Sequence, residues 1–290
     1  MNEANRRSLI ALPIVLLIAA GLAFAGSQGG SIVAGVPLFA LCVALAFLIQ
    51  WIAFIPAYLR QTERFYDLTG SITYITVAMV AVLLSPNADT RSYLLLVLVV
   101  IWAVRLGSFL FMRIRAAGAD RRFDVIKPSA PRFLLAWSLQ GLWVSFSLAA
   151  ALGAITSAAK PDLDIFAVIG LVVWLIGMGF EVTADRQKQV FRNNPANKGK
   201  FIQSGLWAWS RHPNYFGEIV LWLGVAIIAF PSLSGWQYLT LISPIFVYLL
   251  LTRISGVPML EAHAAEKWGG QPDYEDYKAQ TPVLFPRLPK

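Results

Sequence analysis

The stretch YLLLVLVVIWAVRLGSFLFM, residues 93–112, decides the fold class of this chain, because its 20 residues contain a single charge, Arg105. A bilayer core about 30 Å thick requires roughly 20 apolar residues per helix. The whole chain of 290 residues has the same character: 57% of its residues are hydrophobic, 14% are charged and the mean hydropathy is +0.62. Water-soluble proteins do not use such a composition, so the sequence predicts a membrane protein.

Apolar stretches of this length recur along the chain and predict eight spans. They cover approximately residues 9–25, 32–58, 68–84, 93–112, 133–159, 165–182, 215–230 and 238–254. The first follows Arg6 and Arg7 as a signal peptide would, but another apolar stretch follows it at once, so we interpret it as an uncleaved span. The predicted fold class is all-α, a polytopic transmembrane helix bundle.

The distribution of basic residues predicts the orientation of these spans. With the N-terminus inside, the inside segments hold 21 of the 24 Lys and Arg residues, while the outside segments hold only Arg91 and Lys160. Cytoplasmic loops are enriched in basic residues in this way, so both termini are predicted to lie in the cytoplasm. Membrane topology thus explains the basic surplus, and nucleic acid is not an expected partner.

Several common site types are excluded by the residues that the chain lacks. Cys42 is the only cysteine, which excludes an intramolecular disulfide and a cysteine-based zinc site. His212 and His263 are the only histidines and form no His-x-x-x-His pair, so no metal is expected. No glycine-rich strand-to-helix loop or Gly-x-Ser-x-Gly motif occurs. Gly177 and Gly179 lie in an apolar helix and are interpreted as a close-packing surface.

Polar side chains inside the predicted spans are costly to bury and therefore point to function. Most of them lie towards the predicted cytoplasmic ends of their spans, which predicts a site that opens to the cytoplasm. These residues are Gln50, Asp67, Arg105, Gln140, Glu181, Asp185 and Glu218.

The end of the sixth span carries both signs of charge on one face. Asp185, Lys188 and Arg192 share this face at the 3.6-residue period of a helix. An ordinary ladder of juxtamembrane salt bridges is one interpretation, and an anion site is the other.

The next segment, Ser-Arg-His-Pro-Asn-Tyr-Phe-Gly-Glu from position 210, begins a helix that enters the membrane, because Pro213 suits a first helical turn. Unpaired backbone N–H groups make such an N-terminus an anion site, and Arg211 adds a charge that can grip phosphate. A polar stripe then descends through Asn214, Glu218 and Trp222. A capped helix end with interfacial aromatic residues is the alternative.

These motifs resemble the bacterial DUF1295 proteins, which belong to the steroid 5α-reductase-like membrane reductases. The specific likeness covers roughly the last third of the chain, and the earlier likeness is mainly in the order of helices. The matching motifs are Asp185-Arg-Gln-Lys188, Phe191-Arg192, Gly205-Leu-Trp207, Ser210 to Glu218, Glu261 to Trp268, Tyr274-Glu-Asp-Tyr277 and Asp120-Arg121-Arg122-Phe123.

The resemblance implies an NADPH-dependent reductase of a carbon–carbon double bond conjugated to a carbonyl, acting on a steroid-like or other lipid-like substrate. It implies one membrane domain over residues 1–290, with N-terminal helices in 1–60 and a reductase-like core with a cytoplasmic tail in 61–290. A bacterial inner membrane is the expected location. The predicted cofactor residues are Asp185, Lys188, Arg192, Arg211, His212, Asn214, Tyr215, Glu218, Trp222, Tyr274 and Tyr277.

Such a reduction also needs a hydrogen-bond donor for the charge that develops on the carbonyl oxygen. In the family a glutamate and a tyrosine on adjacent helices provide it, whereas here Trp102 stands at about the tyrosine position. We predict that Asp67 replaces them, with Tyr66 or Tyr74, because a desolvated carboxyl group can stay protonated and donate. Alternatively, Asp67 caps the third helix or pairs with Arg64.

Two other functions remain open. Membrane methyltransferases of the isoprenylcysteine carboxyl type, which use S-adenosylmethionine, similarly show Arg-His-Pro-x-Tyr and a closing Tyr-x-x-Tyr. The upstream Asp-Arg-Gln-Lys element favours the reductase. A transporter or a non-enzymatic scaffold is the second alternative, but the paired broken helices of transporters are not evident.

Overall fold

The structure is a computed structural model that describes residues 3–118 and 120–288, except the side chains at positions 116, 117 and 121. Within these residues, eight helices are long and apolar enough to cross a membrane, by length and composition. The all-α, polytopic fold class is therefore confirmed. The cytoplasmic location of the termini and the single membrane domain stay predictions. The side chain of Arg121, from one matching motif, lies outside the described residues.

Ten α-helices and one short hairpin make up the described chain. The helices are α1 Glu3–Ser27, α2 Leu38–Leu59, α3 Tyr66–Leu84, α4 Thr90–Ala117, α5 Ala130–Thr156, α6 Ile165–Asn193, α7 Pro213–Ala229, α8 Ile242–Leu249, α9 Gly256–Trp268 and α10 Pro272–Gln280. The antiparallel strands are β1 Ile32–Val33 and β2 Val36–Pro37. Short 3-10 helices cover Arg121–Phe123, Pro195–Asn197, Gly205–Ala208, Phe230–Ser232 and Gly235–Leu241, and a π-helix covers Leu250–Ile254.

One predicted boundary is wrong, and one predicted span is not a continuous α-helix. The second span begins at Leu38 and not at position 32, because Ala34 and Gly35 adopt positive φ angles of 50° and 80° and close the hairpin. The sixth helix continues beyond the apolar stretch to Asn193, as the helical spacing of Asp185, Lys188 and Arg192 predicts. The eighth span is interrupted, since a 3-10 helix precedes α8 and a π-helix follows it.

The chain divides into two compact units, and each is described by itself. Unit 1 comprises Met1–Ala167 and Ile228–Ser243, and unit 2 comprises Val168–Ile227 and Pro244–Lys290.

Helix α5 forms the centre of unit 1. It packs against α1, α2, α3 and α4, and 83% of its most apolar window is buried, against 28% for α1. Small residues permit this close packing: a Cβ atom at Gly141 would lie 3.2 Å from the Phe47 ring, and one at Gly153 would lie 2.9 Å from the Thr240 hydroxyl oxygen. The helix with the most small residues is therefore the one that other helices surround.

The two basic residues predicted to lie on the non-cytoplasmic side of the membrane both donate hydrogen bonds to backbone carbonyl groups of unit 1. Arg91 is buried and donates hydrogen bonds of 2.7 Å to the carbonyl oxygens of Ile228 and Asp162. The Lys160 ammonium group donates to the Ile155 carbonyl oxygen at 2.8 Å, near the end of α5 where a positive charge is favourable. Both residues stabilise the fold.

In unit 2, α6 and α7 touch backbone to backbone. A Cβ atom at Gly177 would lie 2.4 Å from the Leu221 nitrogen, and one at Gly217 would lie 2.6 Å from the Glu181 nitrogen. Only glycine fits at such distances, so the predicted packing role of Gly177 is confirmed. The same prediction for Gly179 is wrong, because nothing lies within 4 Å of a Cβ atom placed there.

Candidate functional site

The contact between α6 and α7 places two groups of predicted cofactor residues on adjacent helices of unit 2. Gly217 meets Glu181, and Leu221 meets Gly177, so the two helices run antiparallel. This register puts Asn214 at about the level of position 184. On α6, Asp185 is buried, whereas Arg192 is exposed.

The loop after α6 folds back onto the end of that helix. The Trp207 indole N–H donates to the Ala184 carbonyl oxygen at 3.0 Å, and the Leu206 N–H donates to the Gln187 side chain at 2.9 Å. The Lys188 ammonium nitrogen lies 4.4 Å from the centroid of the Trp207 ring, a cation–π contact. These contacts fix the loop that leads into the Arg-His-Pro segment.

Arg211 and His212 share one carboxylate. Arg211 Nη1 donates to Glu261 Oε2 at 2.7 Å, and His212 Nε2 lies 2.8 Å from Glu261 Oε1. The His212 ring also stacks on Tyr215, with centroids 5.6 Å apart. Within the described residues, Arg211 Nε and His212 Nδ1 are buried and have no hydrogen-bond partner.

The electrostatic environment of His212 favours its neutral form. Burial lowers the pKa of this imidazole most, and the nearby charges of Lys188 and Arg211 lower it further, while the hydrogen bond to Glu261 acts in the opposite direction. Arg211 and His212 thus share the Glu261 carboxylate, and the charge of Lys188 lies near His212, an arrangement that suits an anion.

The position of Glu261 depends on the interruption of the eighth span. The π-helix Leu250–Ile254 ends just before Gly256, where a Cβ atom would lie 2.7 Å from the Tyr215 ring. Glycine therefore lets α9 approach Tyr215 closely enough for Glu261 to reach Arg211. Glu261 was predicted only as part of a family motif, because its separation of 50 residues from Arg211 gives no local signal in the sequence.

The two tail tyrosines contact the loop between α6 and α7. The Tyr277 hydroxyl donates to the Trp207 carbonyl oxygen at 2.7 Å. Tyr274 is buried, and both rings lie against Phe201, with centroids 5.1 and 5.4 Å away. Burial raises the pKa of both phenols, so they remain neutral. They hold the tail to the loop.

The predicted catalytic residues lie on α3 in unit 1. The Tyr66 hydroxyl donates to the Ala136 carbonyl oxygen at 2.8 Å. Asp67 lies 3.7 Å from Arg113 Nη2, while Arg64 donates to the Gly118 carbonyl oxygen. The suggested Asp67–Arg64 pair is therefore wrong. Within the described residues the Asp67 carboxyl group forms no hydrogen bond.

Tyr74, the third predicted catalytic residue, is buried about two helical turns after Asp67 on α3. Its ring meets Trp102 edge to face, with centroids 4.9 Å apart. Trp102, which we predict to stand at about the position of the family tyrosine, is therefore a neighbour of Tyr74 in the structure.

Buried polar atoms with unused hydrogen-bonding capacity lie near these residues, on α2 and α5. Gln50 Nε2 donates to the Thr73 hydroxyl at 2.8 Å, but Gln50 Oε1, Gln140 Oε1 and Trp137 Nε1 have no partner in the described part of the chain. Trp137 also packs on Tyr66, 5.1 Å between centroids. Buried polar groups normally find partners, so these atoms suit a polar ligand group or water. The sequence alone does not indicate that Trp137 is a candidate hydrogen-bond donor, because tryptophan usually packs as an apolar residue.

A metal centre is not evident in the described ranges 3–118 and 120–288, where no group of three His, Cys, Asp or Glu side chains is placed to hold an ion. The expectation of no metal stays a prediction.

Comparison with curated proteins finds relatives of two chemical kinds. The bovine "3-oxo-5-alpha-steroid 4-dehydrogenase 1" is 29% identical over 120 residues, and the "Probable O-methyltransferase ustE" of Ustilaginoidea virens is 28% identical over 122 residues. Each match covers 41% of both chains. The "Delta(14)-sterol reductase" of Arabidopsis thaliana is 31% identical over 102 residues, 31% of this chain and 24% of the relative.

The chain thus spans about two fifths or less of the length of these relatives. No solved structure matches it significantly. A family model described as "Protein of unknown function (DUF1295)" matches residues 53–281, most of the chain, and the protein therefore belongs to this family.

Proposed function

We propose that this protein is an NADPH-dependent membrane reductase that saturates a carbon–carbon double bond conjugated to a carbonyl in a steroid-like or other lipid-like substrate. The observation that carries the proposal is the cluster of Lys188, Arg211 and His212, in which Arg211 and His212 share the Glu261 carboxylate and the charge of Lys188 lies near His212. Similarity to proteins named as a steroid dehydrogenase and a sterol reductase supports it. The proposal includes a site open to the cytoplasm of a bacterial inner membrane, as the basic loops predict.

The side chains of this cluster fit the phosphates of a dinucleotide. Arginine and lysine are the usual phosphate ligands, and the buried Arg211 Nε and His212 Nδ1 have capacity for further hydrogen bonds. The Glu261 carboxylate supports an anion at this place, since one of its oxygens contacts Arg211 and the other contacts His212. Lys188, Arg192 and Arg211 would hold phosphate.

The polar stripe on α7 would hold the other end of the cofactor. Asn214 and Glu218 are one helical turn apart, on the helix that contacts α6 through Gly217. A carboxylate and an amide can bind the carboxamide of a nicotinamide. When bound, NADPH would supply a hydride to the β-carbon of the substrate.

The chain must also stabilise charge on the substrate carbonyl oxygen, and Asp67 is the proposed donor. The 3.7 Å separation from Arg113 is too long for a hydrogen bond, so among the described side chains the carboxyl group has no hydrogen-bond partner that a substrate carbonyl would have to displace. Tyr66 is a weaker candidate, because its hydroxyl proton already binds the Ala136 carbonyl. The Trp137 indole N–H offers a further donor beside Tyr66.

A methyltransferase is the second candidate function. The observation that favours it is the similarity to a protein named as a probable O-methyltransferase, which is as extensive as the similarity to the bovine steroid dehydrogenase. In that case the Arg-His-Pro segment would bind S-adenosylmethionine.

The chemistry itself is tested with the purified protein in lipid nanodiscs and a panel of lipid enones. With NADPH deuterated at the transferable hydride, we expect a product that is saturated and carries one deuterium. A product enlarged by a methyl group from S-adenosylmethionine would support the methyltransferase and overturn the proposal.

Two variants then separate binding from chemistry. Asp67→Asn should bind NADPH normally but lower the single-turnover rate roughly a hundredfold, because a donor to developing charge acts in the transition state. Glu218→Gln should weaken NADPH binding instead. If Asp67→Asn reacts at the parental rate, the donor lies elsewhere.

A further inference from the structure

A cavity of about 500 Å³ lies against the end of α6 and the loop that follows it. Its lining includes Arg186, Gln187, Val190, Phe191, Asn194 and Asn197. At 100° per residue, the face of α6 with Arg186 and Val190 is opposite the face with Asp185, Lys188 and Arg192. None of the predicted cofactor residues lines this cavity, so it is separate from the proposed cofactor site.

The cavity combines a cation, Arg186, with two amide side chains that hydrogen bonds already hold in place. Asn197 Nδ2 donates to the Phe191 carbonyl oxygen at 3.0 Å, and the Gln187 side chain accepts the Leu206 N–H. Arg186 is exposed, and within the described residues its guanidinium group has no hydrogen-bond or ion-pair partner. A guanidinium with unused donors beside side-chain amides is suited to a phosphate group.

An exposed apolar stripe leads along α6 to this cavity. Val172, Leu175 and Ile176 lie on the same face as Arg186 and are at least half exposed. Gly179 lies between them and Arg186 and leaves open space, with no atom within 4 Å of an added Cβ. A ligand that uses both the stripe and the cavity must be amphiphilic.

The dimensions agree with one lipid in one leaflet. Leu175 and Arg186 are 11 residues apart on the helix, about 16 Å at 1.5 Å per residue. Half of the hydrocarbon core is about 15 Å thick. A phosphate at Arg186 therefore allows an acyl chain to follow the stripe to about the middle of the bilayer, whereas a water-soluble phosphate would leave the stripe unused.

We propose that this face of α6 binds one anionic phospholipid, with its phosphate at Arg186 and an acyl chain along the stripe past Gly179. The site does not depend on the reductase proposal.

The test counts lipids bound to the full chain in mild detergent by native mass spectrometry. The probes are phosphatidylglycerol, phosphatidylcholine and inorganic phosphate. We expect one phosphatidylglycerol to bind about tenfold more tightly than phosphatidylcholine. Arg186→Gln should lower phosphatidylglycerol affinity about tenfold, and the matched control Arg115→Gln, an exposed arginine on α4, should not change it.

Gly179→Leu tests the stripe separately, and its side chain enters open space, so folding is not at risk. It should weaken phosphatidylglycerol binding several-fold. Equal affinity for the two lipids, or parental affinity in Arg186→Gln, would overturn the proposal. Inorganic phosphate that binds as tightly as phosphatidylglycerol, with Gly179→Leu unchanged, would show a soluble-anion site and overturn it too.

Discussion

Two poorly exposed arginines, one in each unit, are held by different kinds of partner. Arg91 in unit 1 is bound by the backbone carbonyl oxygens of Ile228 and Asp162, and its guanidinium lies 3.2 Å from the Asp164 carboxylate. Arg211 in unit 2 is bound by the side chain of Glu261, which it shares with His212.

The difference indicates what each arginine does. A backbone carbonyl in a folded segment has no freedom to leave, so Arg91 joins elements of the fold permanently. A side-chain carboxylate can rotate away and give its place to another anion, so Arg211 can exchange Glu261 for a ligand. Replacing each arginine should therefore have different consequences, for stability in unit 1 and for binding in unit 2.

The largest effect is expected at Arg91. Arg91→Gln removes charge-assisted bonds from buried carbonyl groups and should cost about 3 kcal/mol of stability, in the range for breaking a buried charged contact. Thermal unfolding in detergent, followed by circular dichroism, measures this as a clear fall in Tm. Arg115→Gln is the matched control. An Arg91→Gln protein that melts at the parental temperature would contradict the structural role of Arg91.

Arg211→Ala should show the opposite pattern. Loss of charge-assisted bonds to phosphate should weaken NADPH binding by roughly 1.5–3 kcal/mol, which is about tenfold or more. Arg192→Ala should act in the same direction, and neither change should lower Tm as Arg91→Gln does. Unchanged dissociation constants in both variants would rule out the proposed phosphate site.

Glu261→Gln sharpens the comparison, because it removes the anion that now occupies the Arg211 position. If Glu261 only occupies the place of phosphate, the Glu261→Gln variant should bind NADPH a few-fold more tightly. The reason is that a competing interaction of Arg211, with a free energy of roughly 1 kcal/mol, is lost. Fluorescence titration of NADPH measures the change. Weaker binding would mean that Glu261 itself contacts the cofactor.

The smallest effect concerns pH. Burial lowers the pKa of His212 below its usual value of 6.5, so the folded protein holds this proton less tightly than the unfolded chain does. Its contribution to stability is therefore complete above pH 6.5 and is lost as the pH falls from 6.5 towards the lowered pKa. Tm measured between pH 8 and pH 5.5 should fall less in His212→Gln than in the parent. Identical pH profiles would contradict the buried neutral histidine.

The spans were predictable from composition, whereas their interruptions were not. Residues 32–37 are as apolar as the helix that follows, and only the positive φ angles at Ala34 and Gly35 separate hairpin from helix. The interruption of the eighth span depends on the π-helix Leu250–Ile254, which hydropathy does not detect.

Some residues of the candidate site were likewise predictable from the sequence, whereas others were not. Arg211 was predictable because it stands directly before a helix start with Pro213. Its partner Glu261 was not, because 50 residues separate them in sequence and only the tertiary fold brings them together. Likewise, Asp67 pairs with Arg113 on another helix, whereas its sequence neighbour Arg64 donates to the Gly118 carbonyl oxygen.

The proposed phosphate site is tested most directly by titrating one purified preparation with NADPH and with S-adenosylmethionine. We predict saturable binding of NADPH that Arg211→Ala weakens about tenfold or more, and no saturable binding of S-adenosylmethionine. Saturable binding of S-adenosylmethionine, together with no binding of NADPH, would contradict the reductase and establish the methyltransferase in its place.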